Sequence, residues 1–282
     1  MFFVVCIHLP SENDHPFSYT HYKIVCFLSD MQPTQDAYNS RPDTHAKTLQ
    51  FNMTTSTSEF TPTSSWYADA ITYWQDIPAS VEGMLGGHPE LHQRDISASS
   101  SFLSRLTSHS VGTLRACDCG SGIGRVTKHL LLKQFQYVDM VEPIGTFLEK
   151  ARQVEFLGHE IKTGRIERLI HSSLQDFQPE QARYDVVWCQ WVLAYLTDDD
   201  LVQFLKRCVQ GLRPGGMIIA KENVDKKGYT VDEVDSSVTR SHDVFCRLFT
   251  QAGLDVAWEQ RQTGFPAGFF AVRMYALKPK QS

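Results

Sequence analysis

The sequence predicts an α/β fold, a mostly parallel sheet covered by helices on both faces. Three observations predict it. From about residue 113, short apolar runs alternate with amphipathic stretches over connections short enough for strand–helix–strand units. A glycine-rich run, Ala116-Cys117-Asp118-Cys119-Gly120-Ser121-Gly122-Ile123-Gly124-Arg125, leaves the first of those strands and opens a helix. The 282 residues are 42% hydrophobic and 21% charged, the ordinary globular mix, so a sizeable core can form. That mix argues against whole-chain disorder and against a fibrous protein.

The formal net charge of -5 provides no global basic field to draw the chain onto nucleic acid or an anionic membrane, and suits a cationic partner better. Seven cysteines, odd in number and scattered through apolar runs, read as buried thiols of a reducing compartment. No apolar run approaches the roughly 18–20 residues needed to span a bilayer. The opening Met-Phe-Phe-Val-Val-Cys-Ile has no preceding basic residue and no clean cleavage site, so it does not read as a secretion signal. The expectation is a cytoplasmic monomer small enough to enter the nucleus, with neither a nucleic-acid nor a membrane partner.

Residues 1–52 hold two apolar bursts broken by Pro10, Pro16, Pro33 and Pro42, too short to bury a face, and residues 54–65 are mostly Ser and Thr. Residues 1–65 therefore read as a tail, disordered or, upstream of Met53, a gene-model error, ahead of one domain over 66–282. Order is expected from Trp66, where Trp66, Tyr67, Ala70, Tyr73 and Trp74 recur at helical spacing until Pro78. Residues 81–87 are turn-rich. Asp95 reads as the N-cap of a further helix marked by Ile96, Phe102, Leu103 and Leu106. Strands are then expected over 113–117, 137–141, 166–170, 184–189 and 217–220, and helices over 123–133, 146–157 and 199–212. A helix over 238–252 and an antiparallel pair, 254–260 with 270–277, close the chain. There is no internal repeat.

The glycine run carries the chemistry. Glycines there let a ligand approach the backbone, and a helix N-terminus favours negative charge. Dinucleotide enzymes use a related spacing, but here Asp118 sits at the strand end. An acid in that place would repel a pyrophosphate and suits a ligand carrying an ammonium group, such as S-adenosylmethionine. Gly120 and Gly122 would form its cradle. Glu142, at the end of the next strand, can accept bonds from ribose hydroxyls. Gln175 lies where an adenine edge would fall, or is an ordinary loop amide. Arg125 reads either as a clamp on the methionine carboxylate or as a surface arginine. Gln190 and Trp191, ending the fourth strand, would face the reacting methyl group, and the Asn/Asp-Pro-Pro-aromatic motif of DNA-base amine methylases is missing there. His88-Pro89-Glu90-Leu91-His92 is not His-Glu-x-x-His, and no metal is expected. Cys117-x-Cys119 lacks the two-residue spacer of redox and zinc pairs.

Five segments together resemble the protein alpha-N-terminal methyltransferase family, which methylates the free α-amine of proteins beginning X-Pro-Lys after Met removal. They are Thr72-Tyr73-Trp74 through Gly83-Met84-Leu85-Gly86-Gly87, the glycine run, Leu174-Gln175-Asp176-Phe177, Trp188-Cys189-Gln190-Trp191, and Asp232-Glu233-Val234-Asp235-Ser236-Ser237-Val238. The resemblance covers residues 66–278. It implies a seven-stranded S-adenosylmethionine-dependent methyltransferase (Rossmann-like) fold with N-terminal helices and a hairpin inserted after the fifth strand. It implies cofactor contacts at Gly120, Arg125, Glu142, Leu174, Gln175 and Gln190, and peptide contacts at Trp74, Trp191, Asn223, Asp232, Asp235 and Ser237. Where the family usually has Asp-Asn this chain has Glu222-Asn223, and where better-known members have a histidine it has Tyr195, a poor base near neutral pH.

On that footing Asp235 is the acceptor of the last amine proton, Asn223 orients the nitrogen, and Asp232 pairs with the substrate lysine. Asp235 or Ser236 reads equally as the N-cap of the helix from Val238. A small-molecule amine methyltransferase, a non-catalytic reader of peptide ends and, more distantly, a dehydrogenase are the competing readings.

Overall fold

The structure is a computed structural model that describes residues 59–108 and 111–280, with the strand segments Ile7–His8, Tyr22–Lys23 and Ser56–Thr57 before them. Apart from the antiparallel pairing of Ile7–His8 with Tyr22–Lys23, the expected tail over 1–52 lies outside the described residues. Ordered chain begins ahead of Trp66. Ser56–Thr57 pairs with Tyr229 and Thr230, and the Phe60 ring packs edge-on against Trp66 at 4.9 Å.

Seven strands make the central sheet. They are β1 (Arg115–Cys119), β2 (Tyr137–Glu142), β3 (Ile166–His171), β4 (Tyr184–Gln190) and β5 (Leu212–Asp225), then β8 (Leu254–Arg261) and β9 (Ala271–Pro279) after the inserted hairpin of β6 (Tyr229–Asp232) and β7 (Ser237–Ser241). Their order is β3-β2-β1-β4-β5-β9-β8. All are parallel except β9, which runs antiparallel to both neighbours. β4 is buried along its whole length, as a near-continuous apolar run predicts for a central parallel strand. Its period-two alternation sends Val187 and Cys189 to the face that holds Phe204, Leu205, Phe245 and Phe249, and Val186 and Trp188 to the face that holds Phe102, Leu103, Leu130 and Leu131. Trp188 is thus a core residue, whereas Trp191 lines the cavity. The five described cysteines are free thiols.

The helices are α1 (Trp66–Asp76), α2 (Val81–Met84), α3 (His92–Thr107), a π-wound turn Thr127–Leu131 running into α4 (Leu132–Gln134), α5 (Gly145–Arg152), α6 (His159–Lys162), α7 (Asp198–Gly211) and α8 (His242–Gln251). The Thr197 hydroxyl accepts from Asp200 N and caps α7. None of the helices is long and apolar enough to cross a membrane among the described residues.

Two expected boundaries are corrected. Asp95 is not an N-cap: α3 starts three residues earlier, and Asp95 lies inside it, fully buried. Nor does a helix start at Val238. Residues 237–241 form β7, because β-branched Val238 and Thr239 find a partner strand in β6, and Ser241 caps α8 by accepting from Val244 N. Neither Asp235 nor Ser236 caps that helix, which leaves Asp235 to face the cavity.

The hairpin's placement follows from the length of β5. β9 pairs β5 along one edge through Val224, while β4 ends opposite Lys221 on the other. β7 takes up the edge that β4 leaves, pairing in parallel with Val224 and Asp225. The β6–β7 turn therefore hangs over the carboxyl end of β4.

Candidate active site

A cavity of about 890 Å³ opens at the carboxyl ends of β1, β4 and β5, where open α/β sheets bind ligands. α1, α2, the β6–β7 turn and the β8–β9 loop wall it in.

The glycine loop forms its floor. Gly120 (φ +69°) and Gly122 (φ +54°) occupy the left-handed region, and a Cβ on Gly120 would come within 2.3 Å of Val192 Cγ2. Glu142 holds the loop in shape. Its Oε2 accepts from Gly122 N at 2.8 Å and its Oε1 from Ile144 N at 2.9 Å. Burial pushes this carboxyl up to about 7, with the two amides opposing. Leu174 and Gln175 reach the cavity from the loop after β3, fixed there because Arg207 Nη2 donates to both their carbonyls, at 2.8 and 2.9 Å.

Of the residues predicted for the site, only Asp118 does not line the cavity. Its Oδ2 accepts from Thr127 N at 3.1 Å and from Thr127 Oγ1 at 2.6 Å, so it anchors the helix behind the loop rather than meeting an ammonium group. Burial raises its carboxyl to about 6. The expectation fails because Asp118 is buried opposite Trp188, one register step short of the strand end, with its Oδ2 taken up by Thr127.

Gln190 and Arg125 are present but held in a way the sequence did not suggest. Gln190 Nε2 donates to Asp95 Oδ1 at 2.8 Å, and Arg125 Nη1 donates to Asp95 Oδ2 at 2.7 Å. Arg125 is thus no surface residue. Lys221, fully buried, donates to Asp95 Oδ1 at 2.5 Å, Ser99 Oγ at 2.8 Å and Gln262 Oε1 at 2.9 Å. This network joins α3, β4, β5 and the β8–β9 loop, and sequence reasoning missed it. Missed as well were Phe265, Phe269 and Phe270, the aromatic wall contributed by that loop.

The other half of the cavity is acidic and aromatic. Trp191 has φ +52°, and its ring lies 5.8 Å from Arg125 Cζ and 6.4 Å from the Phe265 ring. Glu222 Oε1 accepts from Val192 N and Leu193 N at 2.9 and 2.8 Å, which fixes the turn that carries Tyr195. The Trp74 ring stands edge-on to Tyr195 at 5.9 Å. Tyr195 Oη donates to Asp235 Oδ2 at 3.0 Å. Burial, then the Asp235 charge, push the Tyr195 hydroxyl well above its ordinary value, so it acts as a donor and not as a base. Burial, then the Asp232 charge, raise Asp235 to about 6, opposed by Ser237 and Tyr195. Asp232 Oδ1 accepts from Val234 N at 2.8 Å, and burial raises this carboxyl too. Ser237 faces Asp232 across the hairpin, and Asn223 faces Val272 across the β5–β9 edge.

Three buried side-chain polar atoms lack a partner among the described residues: Ser121 Oγ, Trp191 Nε1 and Asp235 Oδ1. All three belong to residues that line the cavity. Buried polar groups are normally bonded, so this cluster marks where a polar ligand belongs.

Comparison with known proteins agrees with this geometry. The family model described as AdoMet dependent proline di-methyltransferase matches residues 62–278. The chain belongs to that family. Zebrafish (Danio rerio) N-terminal Xaa-Pro-Lys N-methyltransferase 1 is 47% identical over 218 residues, covering 76% of this chain and 96% of the relative. Arabidopsis thaliana alpha N-terminal protein methyltransferase 1 is 43% identical over 225 residues, covering 77% of this chain and 81% of the relative. A solved SAM-dependent methyltransferase from Leishmania major superposes with a TM-score of 0.70 at 41% identity, covering 76% of this chain and 83% of that one. A Haemonchus contortus phosphoethanolamine N-methyltransferase (TM-score 0.59, 19% identity, 76% and 49% covered) shares the fold alone. Members of this AdoMet-dependent family bind a ligand with an amine, a carboxylate and ribose hydroxyls. The glycine cradle, Glu142, Arg125 and the unpartnered Ser121 Oγ suit such a ligand.

Proposed function

We propose that this chain methylates the free α-amine of proteins beginning X-Pro-Lys after Met removal, acting as a monomer in the cytoplasm with access to the nucleus. The observation that carries this reading is the position of Asp235. Its unpartnered, buried Oδ1 belongs to the same cavity as the glycine cradle, beside a second, half-buried carboxyl, Asp232.

Gly120, Gly122, Glu142, Arg125, Leu174, Gln175 and Gln190 would hold the cofactor, which when bound supplies a methyl group on a sulfonium. This chain's residues supply the rest. A protein α-amine titrates near 7.7–8.0, so a sizeable minority is neutral at physiological pH and the site must receive only the last proton. Asp235, with a carboxyl near 6, is ionised there and accepts that proton through Oδ1. Tyr195 holds the carboxylate by its other oxygen, and Asn223 orients the nitrogen. Trp74 and Trp191 wall the peptide's path, and a proline at its second position binds with little entropy to lose. Asp232 pairs with the lysine at the third position.

Kinetics on hexapeptides beginning Ser-Pro-Lys and Ser-Pro-Gln test the assignment of Asp232. The lysine peptide should be favoured in kcat/KM by about tenfold to a hundredfold, the scale of a charged hydrogen bond. Asp232→Asn should erase most of that preference. A preference left intact in the variant removes Asp232 from substrate recognition.

A further inference from the structure

Arg125 and Asp95 make a buried ion pair, 2.7 Å between Nη1 and Oδ2, with side chains 5% and 0% exposed. Taken alone, such a pair is neutral, and an arginine so engaged has little charge to offer a ligand. The second cation changes the balance. Lys221 Nζ lies 2.5 Å from Asp95 Oδ1 and 3.2 Å from Asp95 O, besides its contacts with Ser99 and Gln262. Asp95 O, Asp95 Oδ1 and Gln262 Oε1 can only accept, so they call for three N–H donors, which an ammonium has and a neutral amine lacks. Two cations therefore share one carboxylate. Burial pushes the Asp95 carboxyl up, but Lys221 and Arg125 together more than offset it, and it stays below the usual range.

The neighbouring groups make the second cation matter more. His92 Nδ1 lies 3.4 Å from Arg125 Nη1, and burial and the Arg125 charge hold that imidazole below its usual value, neutral above pH 7. Asp118, with a carboxyl near 6, is a second anion within reach of the Arg125 charge, so without Lys221 the one guanidinium would face two carboxylates. Of these charged groups, Arg125 alone lines the cavity, so it is the cation presented there.

We propose that Lys221 is a positioning residue: by taking up the charge of Asp95 it leaves Arg125 able to bind a ligand carboxylate, the one on the amino-acid end of the cofactor. This rests on the reading above, in which Arg125 meets that carboxylate. The same contacts tie the N-terminal helix α3 to the cofactor end of the cavity, since Asp95 also fixes Gln190.

Calorimetric titration with two ligands separates charge balance from packing. S-adenosylhomocysteine carries the carboxylate, and 5′-methylthioadenosine is the same nucleoside thioether without the amino-acid end. Lys221→Met should weaken S-adenosylhomocysteine by about tenfold to a hundredfold, the scale of a hydrogen bond to a charged group. It should leave methylthioadenosine little changed, which also reports a folded site. Adding Asp95→Asn to Lys221→Met removes the anion as well, returns the network to one net positive charge, and should restore most of the lost affinity. Unchanged S-adenosylhomocysteine binding in the single variant overturns the proposal. So does equal weakening of both ligands, or a double variant no better than the single one. A wild-type protein that binds neither ligand overturns instead the cofactor reading on which the proposal stands.

Discussion

Asp235→Asn should lower turnover by about two orders of magnitude or more, the scale of a lost general base. Asparagine keeps the shape and the bond from Tyr195 but cannot accept a proton. The pH profile adds a second readout. The wild-type base form is lost as pH falls through about 6, and the substrate amine is increasingly protonated below its own value of about 7.7–8.0. The specificity constant kcat/KM should therefore fall with acidification in two steps, and the lower step should vanish in Asp235→Asn. Methyl transfer measured across pH checks both. Turnover unchanged by the substitution would remove Asp235 from the chemistry.

Asp95→Ala should destabilise the fold by about 3–5 kcal/mol, the cost of breaking a buried pair and stranding its partner. The partner here is severe: Lys221 has no exposed surface and Arg125 almost none, so neither can turn to water. Adding Lys221→Met should recover a good part of that loss, because an apolar chain has no charge to strand. Urea unfolding of the wild type and the two variants gives the comparison. An Asp95→Ala protein as stable as the wild type would mean that the pair is solvated in solution.

The contrast between these two residues shows what was readable beforehand. Asp235 sits in a local motif, and the glycine loop follows a buried strand, so both announce themselves within ten residues of sequence. The strands of the sheet were legible for the same reason, since an apolar run buried on both faces needs no distant partner to be recognised. The Asp95–Lys221 pair spans 126 positions, and nothing near Asp95 says that its helix begins at His92. One signal was available: Lys221 follows the apolar run Met-Ile-Ile-Ala directly, and a charge inside a central strand requires a buried partner. Strand β7 was hidden differently. Its sequence fits the first turn of a helix, and only the partner strand β6 decides otherwise. Asp118 is one strand-end acid whose partner, Thr127, lies nine residues on in the following helix, and strand periodicity alone does not show that bond.

The central claim is that a free protein α-amine is the methyl acceptor. Radiolabelled methyl transfer to a peptide beginning Ser-Pro-Lys, run beside a copy acetylated on that amine, tests it most directly. Label should enter the free peptide and not the acetylated one. Equal labelling of the two, or labelling of neither, would contradict the claim.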